Sequence, residues 1–117
     1  MTLYFITGNS DKFQEASTII PELKQLNIDL PEIQEMNPRA IIKEKLLEAR
    51  KNHTGEFIVD DTSVYLECMN GFPGPLIKWM LKSQGVKGIY ETCEKLGNNK
   101  AIAKTVIGYS NEQGDIK

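Results

Sequence analysis

The stretch Phe57-Ile58-Val59-Asp60-Asp61-Thr62-Ser63-Val64-Tyr65-Leu66 constrains the chain more than any other. An apolar run meets two adjacent acids and two hydroxyl residues, and then apolar residues resume. Phe57–Val59 has the β-branched and aromatic content of a strand, and the acids fall at its end. A buried strand that ends in carboxylates suits a hard cation such as Mg²⁺. That ion needs oxygen ligands on a rigid support, with open positions left for substrate phosphates. Successive strand residues point to opposite faces. Asp60 and Asp61 therefore cannot both face one site while the strand stays regular. One carries the chemistry and the other supports it.

Upstream, Leu3 to Thr7 is short, apolar and β-prone, and it stops at Gly8-Asn9. Both of these residues tolerate positive φ, so a sharp turn is expected there. Ser10 or Asp11 is expected to cap a helix with Phe13, Ala16, Ile19, Ile20 and Leu23 at apolar positions and Pro21 at its end. A strand, a glycine turn and a helix N-terminus make a corner that suits a phosphate. Lys12, in the first turn, opposes the helix dipole and hints at an anion nearby. Leu26 to Leu30 reads as a second strand closed by Pro31, with Glu32 at the tip of the following loop. Asn37-Pro38 opens a helix running to about Asn52, with Ile41, Ile42, Leu46 and Ala49 on one face. Lys45 sits beside that face, where it either snorkels or reaches a ligand at the sheet rim. His53 follows the helix, in position for a capping or dipole role.

Downstream of the acids, Val64 to Cys68 reads as a further extended segment, and Asn70-Gly71-Phe72-Pro73-Gly74-Pro75 as a rigid loop. A helix opens at Leu76 with Lys78 near its start. Gln84-Gly85 and Lys87-Gly88 separate it from another, Ile89 to Leu96. Ala101 to Tyr109 reads as a strand, and Asn111-Glu112-Gln113-Gly114-Asp115 has hairpin-turn chemistry. Strands alternating with helices predict an α/β fold.

The 117 residues correspond to one domain, large enough to bury roughly two-thirds of its unfolded surface. The formal net charge of −2, with no basic run, argues against a duplex nucleic acid partner. No apolar window is long enough for a transmembrane helix. The start, Met1 to Gly8, lacks signal-peptide features and is expected to be the first strand of a cytoplasmic protein. Cys68 and Cys93 have no metal-ligand spacing and are expected to be reduced thiols.

Three kinds of group then stand out. Glu32 and Asp61 (or Asp60) offer oxygen ligands, Lys12, Lys45 and Lys78 are cations, and the Gly8–Asp11 turn supplies backbone donors. Together they suit a polyphosphate bound with Mg²⁺. Neither a Walker A motif nor a G-x-G-x-x-G is present, which excludes P-loop and Rossmann chemistry. No Ser-His-Asp or Cys-His arrangement exists for the single histidine to serve.

Four segments carry a family resemblance. They are Phe5-Ile6-Thr7-Gly8-Asn9-Ser10-Asp11-Lys12-Phe13, Ile28-Asp29-Leu30-Pro31-Glu32-Ile33-Gln34, Val59-Asp60-Asp61-Thr62, and Asn70-Gly71-Phe72-Pro73-Gly74-Pro75-Leu76-Ile77-Lys78-Trp79. In this order the sequence resembles the inosine triphosphate pyrophosphatase family, which hydrolyses non-standard purine nucleoside triphosphates (ITP, dITP, XTP) to monophosphate and pyrophosphate. The resemblance implies an α/β fold with a mixed central sheet and flanking helices, as in the N-terminal two-thirds of that family's fold. It implies that Thr7, Gly8, Asn9, Ser10, Asp11 and Lys12 hold the triphosphate, with Lys45, Thr62 and Lys78 also on the substrate side. Glu32 and Asp61 would bind Mg²⁺, and Asp61 would help activate the attacking water. Asp60 stands where relatives carry Glu or Asp, and Ser63 where many carry Gly, a change expected to matter little.

Family members continue through a Phe-Gly-x-Asp-Pro loop and a Ser-His-Arg motif that grip the base, both beyond Lys117. The expectation is therefore a C-terminally short version, with the Ala101–Tyr109 strand missing its hairpin partner. Two consequences are expected: self-association, as a dimer, over that strand, or a chain that is part of a longer protein. The alternative to an active enzyme is a nucleotide-binding protein or fragment that keeps the metal and triphosphate half-site.

Overall fold

The computed structural model describes residues 2–28, 30, 33–111 and 113. In chain order it contains β1 (Leu3–Ile6), α1 (Ser10–Ile19), β2 (Lys24–Leu26), α2 (Pro38–Asn52) and β3 (Glu56–Leu66). A 3₁₀ turn (Glu67–Met69), β4 (Pro73–Gly74), α3 (Ile77–Lys95) and β5 (Ala101–Ser110) follow. The sheet is mixed, in the order β2-β1-β3-β4, with β5 also pairing β3. Two compact units divide the chain. One comprises Met1–Ile33, Arg39–Asp60 and Ile107–Lys117, and the other Gln34–Pro38 and Asp61–Val106.

In the first unit β1 lies between two parallel neighbours. It pairs Tyr4 with Lys24 and Ile6 with Leu26 on one side, and Tyr4 with Phe57 on the other. The second strand is therefore Lys24–Leu26 rather than the expected Leu26–Leu30. Register against β1 decides this: Thr7 N still donates to Leu26 O at 3.2 Å, and Ile28 N then folds back on Leu26 O at 3.0 Å, which ends the extended run. Along α2, Ile41, Ile42, Leu46 and Ala49 are buried as their spacing predicts. They join Phe5, Ile6, Leu23, Phe57 and Val59 in the core. The apolar assignment fails at Ile19 in the last turn of α1, which is 83% exposed. His53, just past α2, packs edge-on against Tyr4 and Phe57 at centroid distances of 5.0 and 5.8 Å. Its role is aromatic packing rather than capping, and Nε2 is buried without a hydrogen-bond partner.

In the second unit β3 pairs antiparallel with β4, matching Val64 to Gly74 and Tyr65 to Pro73. The expected break of the strand at the acids does not occur. Thr62 and Val64 are β-branched and no Gly or Pro interrupts, so β3 continues unbroken to Leu66. Cys68, expected at the end of a strand, lies instead in the 3₁₀ turn. Between that turn and β4, Asn70 (φ 53°), Gly71 (φ 96°) and Gly74 (φ 57°) take left-handed backbone. A Cβ on Gly74 would lie 3.2 Å from Tyr65 Cε1 and 3.4 Å from Met36 Cε, a tight fit in addition to its positive φ. The two helices expected between Leu76 and Leu96 are both present within α3 and meet at a kink at Gly85. Of the expected punctuation only Gly85 (φ 70°, ψ 168°) leaves helical geometry.

The pairing of β5 with β3 leaves residues 101–105 exposed. Ile102 and Ile107 are 62% and 63% exposed. The hairpin turn expected after Asn111 lies largely outside the described residues, as do Asp29, Pro31 and Glu32. Within the first unit, Gly108 of β5 passes so close to α2 that an added Cβ would lie 2.5 Å from Ile42 Cγ2 and 2.9 Å from Leu46 Cδ1. Gly108→Ala is expected to cost about 1–3 kcal/mol through overpacking. Urea unfolding would read this as a lower midpoint at unchanged slope, and an unmoved midpoint would mean that the helix and strand are not in this contact.

Candidate functional site

The first unit positions the phosphate corner. β1 delivers Thr7, which is buried, and Thr7 Oγ1 accepts the Asn9 amide at 3.0 Å. Thr7 O in turn accepts Gln25 Nε2 at 3.0 Å, which ties the end of β1 to β2. Asn9, not Ser10 or Asp11, is the helix cap. Its Oδ1 accepts the amides of Asp11 at 3.0 Å and Lys12 at 3.1 Å. Asn9 has φ −99°, and Gly8 does not adopt positive φ, so the turn does not use the left-handed freedom expected of it. The side chain of Asn9 can reach two amides from extended backbone, which makes it the better cap. Three of the amides expected to meet phosphate, those of Asn9, Asp11 and Lys12, are thus engaged within the corner.

The anion that Lys12 faces in this structure is Asp60, with Nζ to Oδ2 at 2.8 Å. Lys45 reaches the same residue from α2: its Nζ donates to Asp60 O at 2.8 Å while the side chain is buried on the apolar stripe. The Lys45 side chain thus runs to the sheet rather than out to water. Asp60 therefore gathers two lysines, one on its carboxylate and one on its carbonyl. A buried ammonium is costly without such a partner. The Lys12–Asp60 pair is partly exposed, which holds its net worth to about 1 kcal/mol or less. An incoming polyanion can share Lys12 at small cost.

The second unit holds the other acid. Asp61 is 5% exposed, and its Oδ2 accepts the hydroxyl of Ser63 at 3.3 Å. Strand alternation puts both residues on the buried face of β3 and sends Thr62 to the opposite face. Thr62 Oγ1 lies 3.4 Å from Thr105 Oγ1 of β5. Ser63, expected to matter little, is a direct partner of the buried carboxylate. The only sequence signal for this contact was its i+2 spacing from Asp61. In the same unit the Asn70–Pro75 loop leads into α3, whose first turn contains Lys78. Lys78 is exposed, with Nζ 5.8 Å from the Trp79 ring centroid.

The structure thus brings Thr7, Asn9 and Asp11 to one helix start and joins Lys12 and Lys45 through Asp60. It places Asp61, Thr62 and Lys78 in the second unit, and Glu32 lies outside the described residues. Among the described residues no three Asp, Glu, His or Cys side chains gather as a metal-binding group. The donor set of Asp61 still suits Mg²⁺, an ion commonly held by one or two carboxylates with the remaining positions left to water and substrate phosphates.

The chain is 34% identical over 116 residues to the inosine triphosphate pyrophosphatase of Schizosaccharomyces pombe, covering 97% of this chain and 61% of that one. It therefore spans about three-fifths of that relative's length. The fold is similar to the Staphylococcus aureus Ham1 protein (TM-score 0.70, 21% identity, 99% of this chain and 67% of that one). It is also similar to a nucleoside-triphosphatase, dITP/XTP pyrophosphatase, from Mycobacterium abscessus (TM-score 0.72, 15% identity, 100% and 69%). The family model of Ham1 matches residues 3–117. The chain belongs to the Ham1 family.

Proposed function

We propose that this chain is a Mg²⁺-dependent nucleoside triphosphate pyrophosphatase acting on non-standard purine nucleotides such as ITP, dITP and XTP. Residues 1–117 would act as one pyrophosphatase-like domain. The observation that carries the reading is the composition of β3 at its two acids. Asp60 is held by two lysines, and the next residue, Asp61, is a buried carboxylate with a hydroxyl donor. Burying an acid on β3 and a lysine on α2 has no stability advantage over apolar residues there, which favours a chemical role. The name of the Schizosaccharomyces pombe relative supports the substrate class.

In this reading Asp61 and Glu32 would hold Mg²⁺, which supplies charge neutralisation on the phosphates and a polarised water. Asp61 accepts a proton from the attacking water through its carboxylate, and Ser63 fixes the orientation of that group. Water adds to the α-phosphorus, the bond to the bridging oxygen breaks, and pyrophosphate leaves with the charge that develops on it. Lys12, Lys45 and Lys78 offset that charge. The capped start of α1, from Thr7 to Lys12, directs its dipole and side chains at the triphosphate. Positioning and electrostatics account for the catalysis, and no covalent intermediate is needed.

Pyrophosphate release from ITP, dITP, XTP, ATP and GTP tests the reading. Release is expected from the first three in preference to the last two, with loss on chelation of Mg²⁺. Asp61→Asn is expected to reduce turnover at least ~10²-fold while circular dichroism stays unchanged. Metal-dependent triphosphate binding without turnover in the unaltered chain would instead identify a binding module. Lys78→Ala is expected to weaken triphosphate binding about tenfold by removing one charge-assisted contact. An unaltered nucleotide affinity would return Lys78 to the role of a solvated helix lysine.

The exposed Ile102 and Ile107 of β5 support the further reading that the chain self-associates as a dimer along this strand. Sedimentation equilibrium is expected to give twice the chain mass, and a monomer at tens of micromolar would refute it.

A further inference from the structure

The second unit contains one pair of nucleophilic side chains that the proposed chemistry does not use. Cys68, in the 3₁₀ turn after β3, and Cys93, near the C-terminus of α3, are 25 positions apart in sequence. Their sulfurs are 3.5 Å apart, with the Cys68 thiol donating to Cys93 Sγ. The two thiols differ in surroundings. Cys93 is 3% exposed, whereas Cys68 is partly open to solvent. Burial, and then the hydrogen bond with Cys68, push the Cys93 thiol up from its ordinary pKa. Cys68 is accordingly the sulfur that an outside oxidant reaches first, and Cys93 is placed to resolve the product. A disulfide needs the sulfurs to approach by about 1.5 Å, to about 2.05 Å. A side-chain rotation at Cys68 in its short turn supplies such a shift more readily than movement of α3.

We propose that Cys68 and Cys93 form a reversible intrachain disulfide that fastens the 3₁₀ turn to the end of α3, with a small-molecule disulfide such as oxidised glutathione as the oxidant. The Cys68 thiolate attacks one sulfur of the oxidant, giving a mixed disulfide and releasing one glutathione thiolate. Cys93 then attacks Cys68 Sγ, and the second glutathione leaves with the proton that Cys93 loses. The two cysteines are oxidised by two electrons, and one disulfide molecule is reduced to two thiols. The bond closes a loop containing the whole Asn70–Pro75 turn and the first turn of α3. Oxidation therefore restrains this segment against local opening. The inference is independent of the nucleotide reading, because it is read on thiols and not on turnover.

The test is to equilibrate the full chain with mixtures of reduced and oxidised glutathione, quench with an alkylating agent under denaturing conditions, and weigh and map the products. The expected result is joint loss of both thiols in a monomer lighter by two hydrogens, with Cys68 linked to Cys93 in one peptide pair. Excess reductant restores both. Cys93→Ser is expected to stop at a stable glutathione adduct on Cys68, and Cys68→Ser to leave Cys93 unmodified. A glutathione adduct that persists on the unaltered chain, covalent dimers, or two free thiols at every ratio would each overturn the proposal. The result on the unaltered chain decides the matter even if either serine variant fails to fold.

Discussion

The two-residue pleat of β3 is the constraint on which the other features depend. Along this strand Phe57, Val59, Asp61 and Ser63 share the buried face, while Ile58, Asp60 and Thr62 point the other way. A one-residue slip would exchange the acids and send Phe57 and Val59 out of the core. The packing of two large apolar side chains, each 1% exposed or less, thus fixes which carboxylate is buried. Pairing with β1 locks the same register from the side, with Tyr4 opposite Phe57.

Once that register is set, the polar groups have few arrangements left. A buried carboxylate, a buried ammonium and buried hydroxyls are costly unless each meets a partner. Lys45 sits on an apolar stripe between Ile41, Ile42, Leu46 and Ala49, and its stem is long enough to carry the ammonium to Asp60 O. Lys12 closes on the carboxylate of the same residue from the first turn of α1. That contact explains a lysine in the part of a helix where the dipole favours acids. The anion inferred from the sequence belongs to the protein itself, and a bound phosphate would be an additional one.

Much of this was legible because it is local. The apolar period of α2, proline at its start, the β-branched run of β5 and the glycine-rich turn after Met69 depend on near neighbours along the chain. The structure returns α2 and β5 within a residue of the expected limits. Elements whose limits depend on a distant partner were not legible. β2 is placed by hydrogen bonds to β1, so its three residues fall earlier than the apolar run suggested. Ile19 carries the right period for the core of α1 but sits beyond anything that covers it. His53 was read by its distance from a helix end, whereas Tyr4 and Phe57 define its surroundings.

The sequence by itself determined that the two acids of β3 lie on opposite faces, because alternation needs no knowledge of the rest of the chain. It determined the chemical type of the candidate groups as well: oxygen ligands, lysines and a helix start. Only the tertiary structure decided that Asp61 is the buried acid, that Asp60 takes both lysines and that Cys68 meets Cys93. These are contacts between residues as much as 48 positions apart. They exist only once separate strands and helices have packed, and no periodicity along the chain encodes which side chains such packing brings within a hydrogen bond of each other.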